Sequence, residues 1–139
     1  MSFYQFLASE EKLEKWESDI FCRIVPEEDM QCASMYTNKK NCAYLEWQYS
    51  KSRAEKIREY IQLHLKNAKR IELWNVWEGA KEEASVYKCR ISDLKPEDIR
   101  ELWGKTPFKK PECIIVLQDY WNKSNDNIAQ ELEKGGKCR

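Results

Sequence analysis

The chain has few of the residues that interrupt or cross-link regular structure. Its 139 residues include only four glycines and four prolines, and no low-complexity tract is present. None of the glycines lies in an array that could cradle a phosphate group, which argues against a nucleotide-binding loop. The length and the ordinary globular composition predict a single domain over residues 1–139.

Long apolar runs are also lacking. The longest, at residues 113–117, is far shorter than the roughly 20 residues that a membrane-spanning helix needs. The first ten residues have neither a basic start nor a long apolar segment, so they predict no signal peptide. We therefore expect a cytoplasmic protein with no membrane partner.

Cysteine is present, but the closely spaced pairs of a structural zinc site are not. The shortest gap between two cysteines is ten residues, whereas zinc ligands typically come in C-x2–4-C pairs. In a cytoplasmic protein of this size we expect reduced thiols, no metal and no cofactor. Three cysteines fall in strand-like runs, where we expect them to act as small buried hydrophobic residues: Cys42, Cys89 and Cys113.

Histidine is nearly absent. The only one, His64, falls on the apolar stripe of a predicted helix, where it is more typical of a hydrogen-bonded residue at the edge of the core. No activatable serine or cysteine is visibly paired with it, so triad chemistry has no support. The sequence therefore favours a protein that is not an enzyme, without deciding the point.

Neither acidic nor basic residues are in excess over the whole chain, although the two kinds are unevenly distributed along it. The net charge is zero. Residues 1–34 hold eight acids and three bases, and residues 35–70 hold nine bases and three acids. A neutral whole argues against a broad nucleic-acid surface, which normally shows a basic excess. The acidic segment predicts electrostatic steering of a basic partner through Glu10, Glu11, Glu14, Glu27, Glu28 and Asp29.

The hydrophobic patterning from residue 42 to residue 118 predicts an α+β fold. Runs that alternate or are continuously apolar are typical of strands, and apolar residues at helical spacing are typical of amphipathic helices. Their order is β-α-β-β-α-β, the pattern of a ferredoxin-like core. The predicted strands are 42–49, 70–77, 85–91 and 112–118, with helices opening at a Ser52–Glu55 capping box and at Pro96.

In a ferredoxin-like sheet the first and third strands of the unit lie at the centre. We therefore expect residues 42–49 and 85–91 to be flanked by the other two strands. An N-terminal extension (1–41) should add a helix starting at Ser9 and a strand near residues 20–25, which could cover the run at 113–117. A short helix should follow in residues 119–139.

Tryptophan is unusually abundant, with six in the chain. In a strand, Trp74 and Trp77 would point to opposite faces, so that one of them could remain outside the core as an aromatic anchor with a polar rim. The equally weighted alternative is that neighbouring segments cover it. The candidate binding residues are Trp47, Trp74, Trp77, Glu72, Glu78, Glu27, Glu28 and Asp29.

Three functions are consistent with these patterns. The leading hypothesis is a non-catalytic protein-binding module, of the general character of small immunity-type inhibitors, although no motif supports that comparison. The second is a dimeric α+β-barrel domain that binds or transforms a small molecule, using His64, Tyr44 and Trp47. The third is RNA binding through the basic helix at 52–70, although the aromatic strand motif of an RRM is missing.

Overall fold

The computed structural model describes residues 3–27, 36–77, 84–99 and 111–119. These residues form a mixed α+β structure built on one seven-stranded sheet. Residues 96–99 are helical, where the sequence predicts that a helix opens, and the rest of that predicted helix lies outside the described residues. In chain order the elements are β1 (Phe3–Ser9), β2 (Trp16–Asp19), β3 (Cys22–Glu27), β4 (Asn41–Trp47), α1 (Lys51–His64), β5 (Arg70–Trp77), β6 (Ser85–Arg90), a 3-10 turn (Ile91–Asp93) and β7 (Glu112–Leu117).

The order of strands in the sheet is β2-β3-β4-β1-β5-β7-β6. All described pairs are antiparallel except β6 and β7, which run parallel. The α+β class is confirmed, but the four-stranded ferredoxin-like core is not, because the sheet is larger and differently ordered. The strand at 85–91 was expected at the centre, yet β6 lies at one end of the sheet, and β7 takes an interior place that suits its continuous apolar sequence.

The strand that reorganises the sheet is β1, which the sequence analysis missed. It is the middle strand of the seven and forms antiparallel ladders with β4 on one side and β5 on the other. Residues 5–9 are all buried. Phe6 and Ala8 face one side of the sheet while Leu7 faces the other, so both faces of this short segment contribute to a core.

The segment between β1 and β3 also differs from expectation. The helix predicted from Ser9 does not form: residues 10–15 are an irregular loop, and Trp16 opens strand β2. The strand predicted near residues 20–25 does form, as β3, but it pairs with β2 and β4 and not with β7. Tertiary pairing outweighs the weak helical propensity of this segment.

Helix α1 is the element that the sequence predicts best. Its N-cap is Ser50, whose Oγ accepts a hydrogen bond from the Arg53 N–H at 3.2 Å, two residues before the expected capping box. Ile57, Tyr60 and Ile61 of the predicted stripe are buried, and Ala54, one turn earlier, is buried with them.

Two buried clusters lie on the two faces of the sheet. On the helix-side face, α1 and the segment after β6 pack over strand residues that include Leu7, Ile24 and Leu73. On the opposite face a smaller cluster surrounds Phe6 and Trp74, with Tyr36 packed against it. The predicted C-terminal helix in residues 119–139 lies beyond the described residues except for Asp119.

Candidate functional site

Trp74 is buried in the opposite-face cluster and is not an exposed anchor. Only 6% of its surface is accessible, and its ring stacks on Phe6 with centroids 6.1 Å apart. Its indole N–H donates to Glu72 Oε1 at 2.8 Å, and the Thr37 hydroxyl donates to the same oxygen at 2.6 Å. Trp74 and Glu72 therefore come together as predicted, but as a buried hydrogen-bonded pair.

Trp47 is half-buried on the helix-side face. Its indole N–H donates to Gln5 Oε1 at 2.6 Å, and Gln5 Nε2 donates to the Ile99 carbonyl at 3.0 Å. Gln5 thus links β4, β1 and the segment after β6. Tyr44 packs against the opposite-face cluster, so the sheet separates Tyr44 from Trp47 and does not bring them together in a pocket.

Asn75 lies directly across from Gln5 in the ladder between β1 and β5, but among the described residues its side-chain amide is not hydrogen-bonded as that of Gln5 is. It is 2% exposed, and within the described structure neither its Oδ1 nor its Nδ2 has a hydrogen-bond partner. Glu112, also buried, is its partner in the ladder with β7. An unpaired buried polar group costs about 1–3 kcal/mol. Asn75 is therefore a buried amide whose polar atoms are unsatisfied within the described structure.

The remaining predicted binding residues do not converge with these. Glu27 is exposed at the end of β3, where it lines a cleft of about 430 Å³ together with Lys12 and Lys40. Trp77 ends β5 opposite Phe3 in the ladder. The others lie outside the described residues: Glu28, Asp29 and Glu78.

The turn between β2 and β3 exposes two large apolar side chains that the sequence analysis did not single out. Ile20 is 78% exposed and Phe21 is 42% exposed. We call these two residues the hairpin tip. The hydrophobic pattern did not reveal their exposure, because it predicts a strand at these positions. The signal that could have revealed them is Asp19, since aspartate commonly accepts a hydrogen bond from the backbone two residues later in a turn.

Several contacts fix the position of the hairpin tip. Asp19 Oδ1 accepts a hydrogen bond from the Phe21 N–H at 2.7 Å, and the Phe21 carbonyl accepts one from the Gln48 N–H at 2.8 Å. The guanidinium carbon of Arg53 lies 5.3 Å from the centroid of the Phe21 ring. Arg53 Nε also donates to Asp19 Oδ2 at 3.2 Å. These hydrogen bonds, with that of Phe21 as the largest cause and that of Arg53 after it, lower the pKa of Asp19.

The base of the same hairpin is held by the other end of α1. Tyr60 Oη donates to the Glu14 carbonyl at 2.6 Å, and the Glu14 N–H donates to His64 Nε2 at 3.3 Å. Two side chains one helical turn apart therefore bind both backbone polar groups of one residue. We call this arrangement the Glu14 clamp. The Tyr60 ring also lies 6.1 Å from that of Trp16, the first residue of β2.

The geometry of the Glu14 clamp defines the protonation state of His64. Because Nε2 accepts from Glu14, the ring is neutral and its proton is on Nδ1, which lies 2.9 Å from the Tyr60 carbonyl and donates to it. The His64 and Tyr60 rings are stacked with centroids 3.9 Å apart. Burial, and then the charge of Glu14, raise the pKa of Tyr60, so the tyrosine acts as a hydrogen-bond donor throughout the physiological range.

Much of the positive charge on α1 is used within the fold. Arg53 and Lys56 reach the hairpin, the latter through a 2.9 Å hydrogen bond from its Nζ to Ser18 Oγ. Arg58 donates to the carbonyls of Leu94 and Ile91, each at 2.7 Å. These contacts make the basic helix a connector between parts of the structure.

The described cysteines divide into two groups. Cys22, Cys42 and Cys113 are buried reduced thiols, as expected. Burial raises the pKa of Cys22, and burial followed by the charge of Glu72 raises that of Cys113, so both thiols are poor nucleophiles. Cys89 is buried as well, but it is disulfide-bonded. The expectation of a reduced thiol is therefore wrong for Cys89.

Within the described ranges, no three His, Cys, Asp or Glu side chains are placed to share a metal ion. The same residues contain no helix long and apolar enough to cross a membrane. No protein-family model, curated protein or solved structure matches this chain.

Proposed function

We propose that this chain is a non-catalytic protein-binding module that presents the hairpin tip to a partner. The observation that carries the proposal is the pair Ile20 and Phe21, two exposed apolar side chains on a turn whose position is fixed by contacts of Asp19 and Phe21. Exposed apolar residues that are already ordered lose little conformational entropy on binding, which favours affinity. Aromatic and aliphatic anchors of this kind commonly dominate the binding energy of an interface.

The proposal includes an inhibitor-type or immunity-type role and a cytoplasmic location. The exposed acids Glu11, Glu14 and Glu27 support a partner with a basic surface. The disulfide at Cys89 opposes the cytoplasmic location, because cytoplasmic proteins rarely keep structural disulfides. Free-thiol counting on protein purified from its native compartment, with alkylation at lysis, decides between the two locations.

The test uses a double variant, Ile20→Ser with Phe21→Ser, and Leu63→Ser as a matched control. Leu63 is also exposed, at 57%, but it lies on α1 outside the hairpin. A partner captured from native lysate is identified, purified and titrated against all three proteins by calorimetry. We expect the double variant to bind at least about tenfold more weakly, as truncation of interface anchors usually does, and the control to bind like the wild type.

Equal binding by the double variant and the wild type would contradict the proposal. Circular dichroism of the variants separates loss of binding from loss of fold. Charge reversal at Glu11 is a further check on the partner's charge. If the partner is basic, Glu11→Lys slows association at low ionic strength and has little effect at high salt.

A specific observation favours one alternative, the binding of a small molecule. The cleft of about 430 Å³ between the loop after β1 and the ends of β3 and β4 falls within the usual size of ligand sites. Its lining combines the apolar side chains of Leu13, Pro26 and Cys42 with the charged residues Lys12, Glu27 and Lys40. This cleft replaces the pocket expected from His64, Tyr44 and Trp47. A ligand that co-purifies with the protein and is lost in Leu13→Trp would favour this alternative.

A further inference from the structure

The hairpin of β2 and β3 lies along α1 and is attached to it at two ends. At or next to the hairpin tip, two side chains from the first half of the helix make the contacts. Lys56 contacts Ser18, and Arg53 contacts Asp19 and Phe21. At the base, Glu14 is bound by Tyr60 and His64 from the last turns. Among the described strands, β2 has only β3 as a neighbour. The helix therefore supplies a second line of attachment for this outer strand.

The two attachments differ in their response to pH. At the tip, the charges of Arg53 and Lys56 persist across the physiological range. At the base, the contact needs a neutral His64, because its Nε2 accepts the hydrogen bond that the Glu14 N–H donates. Histidine is the side chain that ordinarily gains a proton between about pH 8 and pH 5. A proton on Nε2 would place two N–H donors against each other, and that hydrogen bond would be lost.

We propose that His64 is a pH-sensitive latch that holds the base of the hairpin when neutral and releases it when protonated, thereby changing the presentation of the hairpin tip. The proton comes from solvent and is taken up at Nε2, which is part of a contact at the protein surface. This inference rests on the proposed role of the tip. It adds regulation to the same site.

Other charges near His64 act on the same equilibrium. The loop that packs on this end of α1 carries Glu14 itself, and its other charged residues are Glu10, Glu11, Lys12 and Lys15, of which Glu10 is paired with Lys39 at 2.9 Å. The loop holds three acids and two bases, so the two signs nearly balance and the geometry of the Glu14 clamp itself carries the proposal.

A short strand is a suitable element for such release. Strand β2 has four residues, and its pairing with β3 shifts register between Glu17 and Asp19. Few ladder hydrogen bonds therefore hold β2, so one hydrogen bond of the Glu14 clamp is a large fraction of the contacts that attach this strand. Trp16, packed near Tyr60, connects the clamp to the first residue of the strand.

Amide hydrogen exchange measured by NMR tests the latch on the protein alone. After correction for the intrinsic pH dependence of exchange, we expect the protection of the Glu14 amide to fall about two- to tenfold between pH 7.5 and pH 5.5, the range expected for loss of one hydrogen bond. The β2–β3 ladder amides should lose protection over the same interval. The His64 ring shifts should titrate with the same midpoint.

Two variants complete the test. His64→Gln keeps an acceptor that does not titrate, so we expect protection that is constant with pH. Tyr60→Phe removes the bond to the Glu14 carbonyl and should lower protection at both pH values while keeping the pH-dependent fall. Constant protection in the wild type, or an equal fall in His64→Gln, would overturn the latch. A fall confined to Glu14, with the ladder unchanged, would overturn its coupling to the tip.

The exchange experiment needs no partner, so its failure leaves the binding proposal intact. Conversely, if the double variant at Ile20 and Phe21 binds like the wild type, the binding proposal fails and the exchange result still stands.

Discussion

The middle of the sheet and the hairpin of β2 and β3 are held by different means. Strand β1 has neighbours on both sides and buried residues on both faces, so ladder hydrogen bonds and two apolar clusters fix it. The hairpin lies at one end of the sheet and depends in part on side chains of α1 that contact its tip and base. The middle strand is thus fixed by ladders and apolar burial on both sides, whereas the hairpin, although β3 buries Cys22 and Ile24, also depends on polar contacts from α1.

The largest effect should come from the middle of the sheet. Trp74→Ala removes a buried ring from the opposite-face cluster and leaves Glu72 with one fewer donor. We expect the free energy of unfolding to fall by about 3–5 kcal/mol, as for other buried aromatic truncations. Urea denaturation measures it, with Phe21→Ala, a change at the partly exposed tip, as the control. Equal losses in the two variants would remove the contrast between the two regions.

A smaller effect on stability should distinguish the side-chain amides of Gln5 and Asn75, which are neighbours on the middle strands. Gln5→Leu breaks the bonds to Trp47 and Ile99, so we expect the free energy of unfolding to fall by about 1–3 kcal/mol. Asn75→Leu removes a buried amide that has no partner in the described structure. That change should leave stability unchanged or raise it. A loss of stability in the Asn75 variant would show that its amide is hydrogen-bonded in solution.

At the hairpin the effects should be local. Arg53→Ala removes the cation from the Phe21 ring and the donor from Asp19. We expect the Phe21 amide to lose protection from hydrogen exchange by about two- to fivefold, as for an exposed cation–π contact, while amides of β1 do not change. Lys51→Ala is the control, since Lys51 lies on the same helix end and is exposed. An equal loss in β1 would mean that the hairpin and the sheet open together.

The smallest effect is that of acid on the tip. The pKa of Asp19 is lowered from its usual value near 3.8, so the stabilisation it provides is present above that value and is lost as the pH falls through the lowered pKa. The Phe21 amide should therefore shift in NMR spectra recorded below about pH 4, and Asp19→Asn should abolish the shift. A titration of the Phe21 amide with a midpoint above the usual aspartate range would contradict the assignment to Asp19.

The sequence predicted the elements whose signals are local. Helix α1 and strands β4 to β7 follow from apolar periodicity, and of the predicted helical stripe Ile57, Tyr60 and Ile61 are buried whereas His64 is only half-buried. The order of the strands did not follow, because it depends on pairing between distant segments such as Phe3 and Trp77. The same holds for the site: the composition pointed to Trp74 and Glu72, but whether a tryptophan is covered depends on segments far away in the chain.

The central position of β1 has a consequence for how the chain folds. Every ladder hydrogen bond of β1 links it to a strand that begins at Asn41 or later. Chains rich in such distant pairings fold slowly, since loop closure must precede the contacts that reward it. The apolar side chains of Phe6 and Leu7 therefore stay exposed to solvent during folding until both β4 and β5 have paired with β1. A segment that is added to the chain and covers these side chains earlier in folding should raise the yield of folded protein.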